Sequence, residues 1–183
     1  ETWLAASNGF AGGYARASAG LSVSAIAGER LGMERDFRFE ARRAAADLPP
    51  PEEIGREAGE RAVARLRPRR APTGAWPVMF DERVAASLIG HLMGAANGAA
   101  VARGSSWLKD RMGEAVLPKG LSVVEEPRRL AGPASRPFDA EGLATKETVF
   151  VRDGVLESWV LDLASARQLG LELQMPLTMQ PGH

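Results

Sequence analysis

Two histidines, His91 and His183, are the only imidazoles in this 183-residue chain, and it contains no cysteine. A zinc hydrolase recruits several imidazoles or carboxylates at tetrahedral spacing. The chain offers His91 in mid-sequence and His183 as its last residue. Ser87 precedes His91 by four positions, which puts both on one helix face. That arrangement does not match the strand-to-helix elbow of a serine nucleophile. Asp139 and Glu141 stand two apart in Pro137-Phe138-Asp139-Ala140-Glu141-Gly142. A strand would aim both carboxylates to one side, as a paired acid and base require, whereas a loop would leave them solvated. A further reading joins His91 to Asp139 or Glu141 in an unusual metal site. Gly9, Gly12 and Gly13 lie among strand-like residues without the following helix that a phosphate-binding loop needs.

The elements that would position these groups follow from residue patterning. From Thr2 to Arg43 apolar and polar residues alternate, with breaks at Gly12-Gly13, Gly28 and Gly32, which predicts two or three antiparallel strands joined by hairpins. Pro49-Pro50-Pro51 and Glu52-Glu53 open a helix with the stripe Ile54, Ala58, Ala62 and Leu66, ending at Pro68. Arg67, Arg69 and Arg70 complement that helix end, and no aromatic residues interleave them as in a nucleic-acid patch. Trp76 to Phe80 reads as a short buried strand, and Asp81 as the N-cap of a long helix reaching about Arg103. Ala86, Gly90, Gly94, Gly98 and Ala102 recur every four positions, so one helical face is open to close backbone approach in a core.

A shorter helix is expected over Ser105 to Met112, a strand over Leu121 to Val124, and a loop from Pro127 to Pro137. Thr148 to Val151 and Val155 to Leu161 flank Asp153-Gly154, a strong hairpin signal. Strands, then helices, then a hairpin define an α+β class with a largely antiparallel mixed sheet and a long buried Gly/Ala-rich helix.

With 45% apolar residues the chain can bury a sizeable core, and one domain over 1–183 is expected. Its 23 basic and 23 acidic side chains cancel, so no global field draws it to nucleic acid or a membrane. The uncharged stretch Ala85 to Ala102 contains Ser87, His91, Asn97 and three glycines, which suits a protein core better than lipid. The absence of cysteine agrees with a reducing compartment, and the cytoplasm is the expected location. The start, Glu1-Thr2-Trp3-Leu4, has neither an initiator Met nor a signal-like segment and reads as an internal or processed end.

Several segments together resemble the PmbA (TldE) branch of the TldD/PmbA family. They are Ser24-Ala25-Ile26-Ala27-Gly28-Glu29 with Met33-Glu34-Arg35-Asp36, Pro77-Val78-Met79-Phe80, and Gly90-His91-Leu92 with Gly94. Pro137-Phe138-Asp139 with Glu141-Gly142, Asp153-Gly154-Val155-Leu156 and Ser165-Ala166-Arg167-Gln168-Leu169-Gly170 complete the set. The resemblance covers nearly the whole chain; the tail Leu173 to His183 has no clear match.

That resemblance implies a carboxy-terminal part of a longer chain whose amino-terminal α/β domain is absent here. It also implies a cytoplasmic, two-subunit peptidase acting on unfolded peptides, with relatives often described as modulators of DNA gyrase. In it a TldD-like subunit carries a His-Glu-x-x-x-His zinc motif and a PmbA-like chain pairs with it. Here the matching positions are Ala86, Ser87 and His91, so only the last histidine remains. Alanine cannot ligate a metal and serine is a poor base at neutral pH. The expectation is a non-catalytic subunit without a cofactor of its own, paired with a zinc-bearing TldD-like chain or with itself. Asp139, Glu141 and Gly142 would lie near a cleft or interface. A non-proteolytic binding protein that modulates a DNA-processing enzyme is the alternative.

Overall fold

A computed structural model describes residues 1–7 and 9–171. The readings on His183 and on the tail from Leu173 fall outside the described residues. The elements, in order, are β1 (Thr2–Ala5), β2 (Ala11–Tyr14), β3 (Ala19–Ala27), β4 (Glu34–Arg42), α1 (Pro51–Ala64), α2 (Glu82–Ala95) and α3 (Gly98–Ala102). They continue with β5 (Val123–Glu125), β6 (Thr148–Arg152), β7 (Val155–Leu156) and α4 (Leu163–Gln168). The class is α+β, with small antiparallel sheets in place of one larger sheet.

The chain divides into two compact units. One holds residue 1, 15–77 and 131–133; the other holds 2–14, 78–130 and the described residues from 134 onward. The proline-punctuated stretch after α1, with Pro68, Pro72 and Pro77, forms no helix or strand and leads from one unit into the other. No helix among the described residues is long and apolar enough to cross a membrane.

In the first unit β3 and β4 form a nine-pair antiparallel ribbon, from Ala19↔Arg42 to Ala27↔Glu34. One face carries α1 through the buried stripe Ile54, Ala58 and Ala62, as the 3.6-residue period requires. The facing positions of β4 are charged. Asp36 is buried and paired with Arg65 at 3.2 Å; Glu57 meets Arg38 at 3.3 Å and Arg61 at 3.5 Å. Phe37 and Phe39 stand on the opposite, exposed face. The region from Thr2 to Arg43 thus holds four strands in two hairpins, one hairpin in each unit.

The second unit is centred on Leu92, Ala96, Leu108, Val151 and Leu156, with Val116, Val123 and Trp159 against them. Asp81 caps α2 as expected, accepting the Arg83 N–H at 3.0 Å. The long helix is broken at Ala96-Asn97. Asn97 is extended at φ −62°, ψ 120°, and its side chain caps α3 by accepting from Ala100. The Val160 N–H donates to the Ala96 carbonyl at 2.8 Å, and the Gly98 N–H donates to the Val160 carbonyl at 2.7 Å. A crossing strand-like segment therefore takes the hydrogen bonds that would have continued the helix.

Other expectations shift for local reasons. Trp76 to Phe80 forms no strand and is exposed, since Pro77 lacks an N–H and no strand pairs with the segment among the described residues. Ser105 to Met112 is a series of turns: Ser106 Oγ accepts from Leu108 and donates to the Ala95 carbonyl, competing with helix formation. The strand near Val123 begins two residues later than expected. The Asp153-Gly154 turn is present with φ 48° and 86°, but its second strand is only Val155–Leu156.

Candidate functional site

The Pro137-to-Gly142 motif folds as a tight loop and not as a strand. The Asp139 N–H donates to the Leu143 carbonyl at 2.9 Å, and Asp139 Oδ1 accepts from both Glu141 and Leu143 at 2.9 Å. This self-capping is the usual behaviour of an Asp at a turn. Gly142 closes the loop at φ 78°, and a Cβ there would come within 2.9 Å of the Phe10 ring. Phe138, buried beside the loop, meets Phe10 edge-on at 5.0 Å and Tyr14 at 5.3 Å. The β1–β2 hairpin is thereby seated against the loop by aromatic packing.

Two further carboxylates converge on the same place. Glu141 Oε2 accepts the Leu163 N–H at 3.0 Å, at the first turn of α4. Asp162 caps that helix: Oδ1 accepts from the Ser165 N–H at 2.7 Å and from its hydroxyl at 2.5 Å. The Ser165 hydroxyl, and next its backbone N–H, hold the Asp162 carboxyl below its ordinary pKa. Asp139, Glu141 and Asp162 line one open cleft of about 730 Å³ with Trp3, Tyr14 and Phe138. Arg136, also on its wall, is drawn to Glu125 at 3.6 Å.

The structure thus brings Asp139, Glu141 and Gly142 together, and it leaves His91 elsewhere. His91 is exposed on α2 and does not line the cleft. Ser87 Oγ donates to the Val84 carbonyl at 2.6 Å, one turn back on its own helix. Among the described residues no hydrogen bond or ion pair joins His91 to Asp139 or Glu141, and no group of three His, Asp or Glu side chains could hold a metal ion. With Ala86 and Ser87 at the other two motif positions, these residues do not fit a zinc centre.

Sequence reasoning missed Trp3, Tyr14 and Asp162. The spacing Asp162-x-x-Ser165 is a capping signature that could have found the last. The aromatic residues carry no such signal, because their convergence depends on long-range packing.

The sequence and the fold both have counterparts among known proteins. Residues 1–66 match the PmbA/TldA metallopeptidase central domain, and residues 73–177 match the PmbA/TldA metallopeptidase C-terminal domain. The chain belongs to the PmbA/TldD family. It is 42% identical over 166 residues, 91% of its length, to metalloprotease PmbA of Escherichia coli O157:H7. It is 33% identical over 165 residues, 90% of its length, to a PmbA homolog of Haemophilus influenzae. In each case it spans 37% of the relative's length.

Two crystal structures of candidate modulators of DNA gyrase share the fold. The one from Bacteroides thetaiotaomicron superposes with a TM-score of 0.86 at 26% identity, covering 92% of this chain and 39% of that one. The one from Thermotoga maritima gives 0.75 at 31% identity, covering 84% and 35%.

Proposed function

We propose that the chain is part of a PmbA-type subunit that lacks its own catalytic zinc and completes a cleft for unfolded peptides. A zinc-bearing TldD-like chain is its partner in this reading, and a second copy of itself is the alternative partner. The observation that carries the proposal is the composition of α2. Its motif positions hold Ala86, which has no donor atom, and Ser87, whose hydroxyl is committed to Val84, so among the described residues His91 stands without co-ligands. In this reading the ligands for the family's metallopeptidase chemistry come from another chain. The open aromatic and acidic cleft supports a share in holding substrate. A cysteine-free composition supports a cytoplasmic setting.

The test is to mix the full-length protein with a zinc-motif TldD-like chain from the same source and assay an unstructured peptide. Cleavage is expected only in the mixture. Cleavage by this protein unaided would overturn the non-catalytic role. Association with gyrase, without cleavage in any mixture, would favour the alternative suggested by the names of the two structural neighbours, a binding protein that modulates a DNA-processing enzyme.

A further inference from the structure

We propose that the cleft between the β1–β2 hairpin, the 138–142 loop and the start of α4 selects a cationic group on the bound peptide, a lysine or arginine side chain or a free amino terminus. This rests on the peptide-binding reading above and names the chemistry of what is bound.

The first observation is an aromatic platform held in place. Trp3 pairs across the hairpin with Gly13, and a Cβ on Gly13 would fall 2.5–2.8 Å from the Trp3 ring. The indole therefore lies directly on the bare backbone of the opposite strand. It is nonetheless 77% exposed, so its other face is open. A fixed, open indole face is the preferred surface for a cation. Tyr14 and Phe138, locked edge to face at 5.3 Å, continue the wall.

The second observation is negative charge that no cation among the described residues pairs with. Asp139, Glu141 and Asp162 each commit one oxygen to N–H or hydroxyl donors of the protein itself. Among the described residues no hydrogen bond or ion pair reaches the second oxygen of Asp139 or Glu141, and the donors around Asp162 are N–H groups and a hydroxyl, not cations. Neutral dipoles orient these carboxylates without discharging them, in contrast to Asp36 and Glu40 of β4, which arginines pair directly. Arg136, the one basic residue on the cleft wall among the described residues, is drawn to Glu125. Three oriented carboxylates beside apolar walls make a cation the complementary ligand, because low-polarity walls focus the field. A neutral peptide would leave those oxygens to water.

The probe is a pair of unstructured, fluorescein-labelled decapeptides, identical except for one central lysine or glutamine, titrated against the full chain by anisotropy at low and high salt. The expected result is about tenfold tighter binding of the lysine peptide at low salt. That preference should shrink as salt rises. Glu141→Gln combined with Asp162→Asn retains the oxygens that accept from Leu163 and Ser165, so the fold is kept while two charges are removed. This double variant should bring the two peptides to near parity, and Trp3→Ala should reduce the preference severalfold. Equal, measurable binding of both peptides to the unmodified protein would overturn the cation selection and leave the peptide-binding reading standing. Binding of neither would overturn both. A lysine preference unchanged in the charge-removed variant would place the selection outside this cleft and overturn the assignment.

Discussion

The Glu141 carboxylate accepts the backbone N–H of Leu163 at 3.0 Å, joining two points 22 residues apart. The bond ties the 138–142 loop to the first turn of α4, where helix N–H groups have no intrahelical partner. A residue read from sequence as a possible acid or base thus has a structural task as well as a place on the cleft wall.

That dual task separates two substitutions. Glu141→Ala leaves the Leu163 N–H unpaired in a half-buried position and is expected to lower stability by about 1 kcal/mol. Glu141→Gln retains an accepting oxygen and should cost well under that. Urea denaturation of the three proteins checks the ordering; equal midpoints for Ala and wild type would mean that the bond contributes nothing.

Gly98 and Gly90 belong to the same four-residue periodicity but meet different surroundings. A Cβ on Gly98 would lie 2.7 Å from Leu161 Cδ2 and Ser165 Oγ and 2.8 Å from the Val160 carbonyl oxygen. Because one of those atoms is backbone, Gly98→Ala is expected to destabilise by roughly 2 kcal/mol or more through overpacking. Nothing lies within 4 Å of a Cβ built on Gly90 or Gly94. Gly90→Ala and Gly94→Ala should instead stabilise by up to about 1 kcal/mol, the gain in helix propensity. Thermal melts of the three variants read the contrast directly.

The same pair shows what the sequence could and could not tell. The every-fourth small-residue stripe announced close backbone approach, and the crossing 160–165 segment makes that approach at Gly98. The stripe did not reveal that its Gly90/Gly94 portion is open to solvent. Nor did it announce the break at Asn97, whose cause is a hydrogen-bonded partner about 60 residues away in sequence. Local chemistry was legible at the Asp81 cap, the Ile54-Ala58-Ala62 stripe and the Asp153-Gly154 turn, while the equally local Asp162 cap was passed over. Trp76 to Phe80 carries a strand's composition without a partner strand among the described residues. At the candidate site Asp139 and Glu141 could be singled out by type, but the Trp3 platform and the direction of Glu141 toward α4 are products of packing.

The Asp162 cap predicts a pH signature. Its carboxyl has a lower pKa folded than unfolded because the Ser165 hydroxyl and N–H favour the ionised form. Such a group stabilises the fold above its unfolded pKa of about 3.9, and the contribution is lost as pH falls through the lower, folded value. Asn caps helices about as well as Asp but carries no charge to titrate. The stability of wild type relative to Asp162→Asn should therefore be steady from pH 5 to 7 and fall below about pH 4. A wild type that gains stability relative to the variant toward acid pH would contradict this assignment.

The non-catalytic role can be tested by attempting to restore the lost motif. Ala86→His with Ser87→Glu would rebuild the sequence pattern around His91 on α2, but a working zinc centre also needs a further protein ligand, an open position and hydrogen bonds that orient each imidazole. Ser87 now spends its hydroxyl on the Val84 carbonyl, His91 is exposed, and the acidic cluster nearest in kind, Asp139 with Glu141, is held by its own loop and by α4. The double variant is accordingly expected to cleave no unstructured peptide without a TldD-like chain, even in the presence of added zinc. Two readouts are needed, peptide hydrolysis by mass spectrometry and zinc content of the dialysed protein. Zinc retained without hydrolysis would show that the helix can be made to bind metal while the catalytic surroundings are missing. Turnover by the variant alone would sink the claim that those surroundings are absent from this chain.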